Sequence, residues 1–418
     1  MSSLVMSVAV PSTSVRRNPL RHPGVARLLA LSMVARTPEA AVGLLFILRV
    51  RDLGGSFALA GLVSAVLGVG LAAGAPLLGR VIDRRGQTGV LTVTATTATT
   101  ALAVSGLLPH GTAPAILLAL AFLTGLFMPP IAPCLRALFG RNLNGDDRHG
   151  ALAMDAALQE ISFMLGPLVF VSALAAISPQ LALLGAAAAL MAGTLAFAAS
   201  PESRDVPADP SRRPRGGALA APGIRTLLLV AAGMGGAYGA TEVALAGAAD
   251  HVHSNGALGI LLAVWSIPSL FAGLITARRG EPADQARALV LLTAATALPT
   301  AALALMPDLW TLGLMLAASG GIAAPMFATL YSLVGRVAVP GTTTEAFTWL
   351  GSGLFAGLAA GGAVGGMLIS SSGVPAAFIA AGAFAVVAAL LAATRTATLR
   401  PGAVVASDPH SGSAATTA

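Results

Sequence analysis

Lysine is absent from this sequence; all 24 basic residues are arginine. Chemistry that depends on a lysine amine is therefore excluded, whether a Walker A contact to ATP phosphates or a Schiff base with pyridoxal phosphate or retinal. Cysteine occurs once, at Cys134, which excludes an intramolecular disulfide and a thiolate metal cluster. Charge is scarce too. Only 10% of the 418 residues are charged, against about 25% in a soluble globular protein. The chain is instead 56% hydrophobic, with a mean hydropathy of +0.83, in long apolar runs broken by short polar patches.

A helix needs about 20 apolar residues to cross about 30 Å of hydrocarbon. The runs predict twelve spans, near residues 27–49, 57–78, 88–108, 113–136, 150–174, 178–199, 224–246, 256–277, 287–306, 309–335, 344–370 and 374–394. The long polar stretch Pro201–Pro222, rich in Pro, Arg, Ser and Asp, reads as a linker. The expected fold is an all-α membrane protein, with twelve transmembrane helices in two pseudo-symmetric six-helix bundles. Its expected divisions are a tail at 1–26, a half at 27–200, the linker at 201–222, a half at 223–396 and a tail at 397–418. A repeat supports the halves. Thr124-Gly125, Pro130, Leu135, Leu138 and Gly140-Arg141 match Ser319-Gly320, Pro325, Leu330, Leu333 and Gly335-Arg336 at a constant offset. Duplicated halves are a usual build of secondary transporters, with the site at their interface.

Arginine sets the orientation. If the spans alternate, 21 of the 24 arginines fall on one side, Arg49 and Arg51 on the other, and Arg36 inside span 1. The positive-inside rule then places both termini in the cytoplasm, of a multi-pass protein of the inner (plasma) membrane. The net charge of +7 reads as topology and contact with anionic lipid, and no nucleic-acid partner is expected. The first residues lack the ordered basic start, short apolar core and cleavage site of a signal peptide.

After span 2 comes Gly79-Arg80-Val81-Ile82-Asp83-Arg84-Arg85-Gly86. Gly79, Asp83, Arg84 and Gly86 resemble the signature loop of the major facilitator superfamily, although Gln87-Thr88 stand where that family has a second basic pair. Arg278-Arg279-Gly280 is a shortened echo in the second half. The resemblance covers nearly the whole chain and implies alternating access, with these four residues as a conformational latch. Gly79 would permit close helix approach, Gly86 a positive-φ turn, and Asp83 would face the positive end of a neighbouring helix. Leu165-Gly166-Pro167 in span 5 resembles a motif of bacterial drug and metabolite exporters of this family, with Val169-Phe170 where further glycines would fall.

An ionisable group at the bilayer centre costs at least about 2.5–3.5 kcal/mol, so it faces the protein interior or a wet cavity. Those embedded here are Arg36 and Glu39 in span 1, Asp155 and Glu160 in span 5, and Glu242 in span 7. Glu345 and Asp250 sit near span ends, within reach of water. Arg36 and Glu160 each lie roughly 13–15 Å into their spans, which suggests a pair, either structural or a protonation switch. Asp155, Gln159, Ser162 and Gly166 share one face of span 5, as a cavity wall or as helix–helix glue. Glu242 has Tyr238 one turn earlier. Glu39 and Glu242 would face each other across the pseudo-twofold axis, as a proton or cation site or as caps on bent helices.

Four other readings are structural or negative. Gly353, Gly357, Gly361 and Gly365 form a small-residue face on span 11. Pro129, Pro130, Pro133 and Pro325 should bend spans 4 and 10. His251 and His253 lack the ligands for a metal site. Asp146-Asp147 is a lone acidic doublet, which argues against a membrane-embedded enzyme. The sequence thus predicts a secondary active transporter, not an enzyme, exporting a small amphipathic organic molecule such as an antibiotic or secondary metabolite. It would act as a monomer, driven by the proton gradient without a cofactor. Proton-coupled import of a small nutrient is the alternative.

Overall fold

A computed structural model describes residues 20, 22–174, 177–204, 217–251 and 255–400. The outermost parts of both expected tails, residues 205–216 of the linker, His253, and the side chains of Asp250 and His251 lie outside the described residues. The described chain is helical, with twelve helices long and apolar enough to span a membrane. In chain order, spans 1 to 6 are Val25–Asp52, Leu59–Arg85, Gln87–Leu107, Pro114–Asn142, Gly145–Val171 and Pro179–Ala198. Spans 7 to 12 are Pro222–Ala249, Ile260–Arg279, Gln285–Leu305, Leu309–Val337, Thr343–Ser372 and Val374–Thr394. Apolar side chains such as Val69, Leu77, Leu291 and Leu314 point outward, as a lipid solvent permits.

Polar caps mark where several spans begin. Ser56, Asp284 and Asp308 each accept hydrogen bonds from backbone N–H groups in the first turn of the following helix. Within the bilayer, apolar burial gives no hydrophobic gain, so close packing must hold helices together. The glycine face of span 11 does this against span 7. A Cβ added at Gly353, Gly357, Gly361 or Gly365 would meet Leu228, Ala232, Gly236 or Ala240 respectively, an unbroken register along two parallel helices.

Four spans are interrupted where the site forms. Span 4 loses its helix between Leu126 and Ile131, and span 10 between Gly320 and Ala323, both beside the repeat's prolines. Proline cannot donate to the preceding turn, so the ladder opens there. Span 1 breaks at Ala40–Ala41, after Pro38. Span 5 widens into a π turn from Pro167. Gly166 lies so close to Thr37 and Ala40 that no side chain would fit, which brings span 5 against the break in span 1.

The first six spans pack mainly among themselves, as do the last six. The principal contacts between the two sets are span 2 on span 11 and span 5 on spans 8 and 10, with the later part of span 4 joining spans 10 and 11. At the arginine-rich end these contacts include polar ones, Asp83 and Arg80 of span 2 with the start of span 11 and Asp146 with Glu281. The segments of spans 1, 4 and 10 nearest the other end pack within their own set. The cleft between the sets is therefore closed at the arginine-rich end.

Candidate functional site

The buried centre of the first six spans is an ion cluster. Asp155, with 0% exposure, accepts from Arg36 at 2.6 Å through one oxygen and from Arg136 at 2.7 Å through the other. The Gln159 side-chain oxygen, one turn further along span 5, accepts from both guanidiniums, at 3.0 and 2.7 Å. Arg136 also stands 3.7 Å over the Tyr331 ring of span 10. One carboxylate and one amide oxygen thus satisfy two arginines from different helices, the arrangement that offsets the desolvation of buried charge.

This corrects two expectations. Arg36 pairs with Asp155, not with Glu160, because Asp155 and Gln159 lie on the face of span 5 that Gly166 holds against span 1. Arg136, the last residue of the expected span 113–136, is only 6% exposed and sits within the bundle. The helix restarts at Ile131 and continues to Asn142, carrying Arg136 further into the protein than a hydropathy boundary suggests. The legible hint was a shortfall: one embedded arginine against Glu39, Asp155, Glu160 and Glu242.

Glu39, Glu160 and Glu242 do not form one set. Glu39 lies in the field of Arg36 and Arg136. Glu160 accepts from the Ser269 hydroxyl of span 8 at 3.4 Å and is also reached by Ser266. Its charged neighbour is the exposed Glu242, so Glu242 interacts with Glu160 across the cleft. Tyr238 adjoins Trp265 at 5.4 Å and Phe327 at 5.9 Å, and Phe327 stacks on Tyr331 at 5.7 Å. The Tyr238 hydroxyl is buried and makes no hydrogen bond among the described residues.

The signature loop lies at the closed end. Span 11 begins without a side-chain cap of its own. Asp83 supplies one from span 2, accepting from the backbone N–H groups of Thr344 at 3.1 Å and Glu345 at 2.8 Å. Arg80 reaches the Glu345 carboxylate at 2.7 Å. Glu345 is therefore fully buried in an ion pair, not solvated as its place near a span end suggested. A Cβ on Gly79 would lie 3.0 Å from the Glu345 Cα, so only glycine allows this approach. Gly86 ends the helix at φ 85°. Arg84 is exposed, and Arg80 makes the contact to span 11 instead. The echo loop does the matching work: Asp146 accepts from the Glu281 N–H at 2.8 Å, and Glu281 meets Arg336 at 2.7 Å and Arg148 at 3.6 Å.

The family model for the Major Facilitator Superfamily matches residues 28–245, more than half of the chain. No curated protein matches significantly. Among solved structures, the chain resembles the human organic anion transporter at 18% identity and TM-score 0.68, covering 89% of this chain and 100% of that one. It resembles the fucose:proton symporter of E. coli at 12% identity and TM-score 0.70, covering 91% and 99%. A bacterial homologue of the iron transporter ferroportin, in an outward-facing state, aligns at 13% identity and TM-score 0.68, covering 89% and 99%. At these identities the likeness establishes the fold. The chain belongs to the major facilitator superfamily, as a multi-pass secondary transporter of a small molecule and not an enzyme.

Proposed function

We propose that this transporter exports a small amphipathic organic molecule in exchange for protons. The observation that carries the reading is the pair Glu160 and Glu242, embedded carboxyls that no arginine neutralises among the described residues. A carboxyl in a cleft that opens alternately to the two sides can carry a proton across, because each opening exposes it to a different pH. The aromatic, largely apolar surroundings of Tyr238, Trp265 and Phe327 suit an amphipathic solute. Phosphate esters and polyanions do not suit it, since both embedded guanidiniums already serve Asp155.

With the arginine-rich end in the cytoplasm, the structure corresponds to a cleft open to the outside, and Asp83, Arg80 and Gly79 act as its latch. Opening the cytoplasmic side would strip the cap from span 11 and part Glu281 from Arg148 and Arg336. The two six-span halves move against each other, and the Asp155 cluster keeps the first half rigid while they do.

The test is a pH-jump assay in proteoliposomes with a panel of amphipathic antibiotics, comparing wild type with Glu160→Gln and Glu242→Gln. Substrate movement opposite to the proton flow, abolished in at least one variant, is expected. Movement with the proton would make the protein an importer. Proton-driven exchange unchanged in both variants would remove these carboxyls from the coupling.

A further inference from the structure

We propose that Glu160, Glu242, the Tyr238 hydroxyl and the Trp265 ring form a subsite for the protonated amine of an aromatic or apolar substrate. This rests on the transport reading above and names the ligand chemistry of that cleft.

The guanidiniums of Arg36 and Arg136 are both bonded to Asp155, with Gln159 taking a further hydrogen from each. Glu39 stands in their field. Among the described residues, no embedded arginine is left over for the second pair of carboxyls. Among the described residues, Glu160 is reached by the neutral hydroxyls of Ser266 and Ser269, which orient it without cancelling its charge. Its charged neighbour is Glu242, of the same sign. Two carboxylates that repel across a cleft bind a cation between them more strongly than either would alone.

Tyr238 supplies the independent observation. Its hydroxyl is fully buried, close enough to Glu160 to feel its charge, and has no hydrogen-bond partner among the described residues. Buried polar groups without a partner are rare, and each calls for one. An ammonium N–H between the carboxyls would donate to the phenol oxygen, and the phenol hydrogen could turn to a carboxylate.

The rings complete the subsite. Tyr238, Trp265, Phe327 and Tyr331 make a continuous aromatic wall from span 7 through span 8 to span 10. At the Tyr331 end the protein places its own cation, Arg136, 3.7 Å over the ring. At the Tyr238–Trp265 end the wall meets Glu160 and Glu242 instead. Ring faces and carboxylates attract a cation together and disfavour an anion of equal shape.

The experiment is equilibrium binding to the purified full-length protein in nanodiscs of zwitterionic lipid, with empty nanodiscs as the blank. Tetraphenylphosphonium and tetraphenylborate share a shape and differ in charge, and 2-phenylethylammonium adds N–H donors. The phosphonium should bind at least tenfold more tightly than the borate. The double variant Glu160→Gln/Glu242→Gln should lose that preference, while Glu160→Asp/Glu242→Asp retains most of it. Tyr238→Phe should weaken 2-phenylethylammonium about fivefold, as expected for one hydrogen bond, and leave the phosphonium within about twofold. Charge-blind binding, or an unchanged preference in a double Gln variant that elutes and melts like wild type, overturns the proposal and leaves the carboxyls as a proton site only. Charge-selective binding without proton-driven movement would sustain the subsite and refute the transport reading. Proton-driven movement with charge-blind binding would do the reverse.

Discussion

Asp155→Asn should be among the most damaging single substitutions in the first six spans. The change is nearly isosteric, so its cost is electrostatic. It leaves Arg36 and Arg136, only 7% and 6% exposed, without the carboxylate that now lies 2.6 and 2.7 Å from them. Breaking one buried ion pair typically costs about 3–5 kcal/mol, and this carboxylate serves two arginines, which puts the expected loss near the upper figure. Arg36→Gln is milder. It forfeits two charged hydrogen bonds but keeps Asp155 paired with Arg136, for about 3 kcal/mol. In the double variant only one guanidinium is stranded, so the combined loss should fall short of the sum by about 3 kcal/mol. Reversible unfolding in mixed detergent micelles, followed by circular dichroism, measures all three. A loss of under about 1 kcal/mol for Asp155→Asn, or strict additivity in the double variant, would refute the assignment of Asp155 as the shared counter-ion.

Three further outcomes follow from the packing. Gly79→Val places a side chain against the Glu345 backbone and should favour opening at the arginine-rich end. The buried Cys134, which lies in the field of Asp83, then reports the change: its alkylation by a maleimide should accelerate about tenfold, and an unchanged rate would count against the latch. Asp83→Asn removes a charge from the start of span 11, worth about 0.3–1 kcal/mol, and should raise the same rate about two- to fivefold. Gly361→Ala should cost about 1–3 kcal/mol in the unfolding assay because its Cβ would strike the Gly236 backbone. Gly351→Ala, with open space around the position, should be neutral or slightly stabilising, so equal losses at the two positions would refute the span 7–span 11 register.

Membership of the superfamily was legible in the sequence because its signals are local. Apolar run length sets the number of spans, and each expected span overlaps an observed one, although spans 2 and 4 run on past their expected ends. Glycines spaced by four residues announce a close-packed face on any helix, and prolines at repeat positions announce breaks. The signature loop was legible because Gly79, Asp83, Arg84 and Gly86 stand together within eight residues, although Asp83 and Gly79 act on span 11, far along the chain.

Pairing was not local. Asp155 and Glu160 are separated by only five residues and both are embedded, and sequence spacing alone favoured Glu160 as the partner of Arg36. The choice fell to Asp155 because Gly166 lets span 5 approach the break in span 1 on that face. Arg136 looked like a membrane-edge arginine until the restarted helix carried it over Tyr331. Arg80, not Arg84, reaches Glu345, since a 100° step around span 2 decides which arginine faces span 11. The sequence by itself determined how many spans there are and where proline opens them, because hydropathy and backbone restrictions act within a few residues. Only the tertiary structure decided which charges meet, because a buried ion pair depends on which faces of two separate helices are close enough to touch.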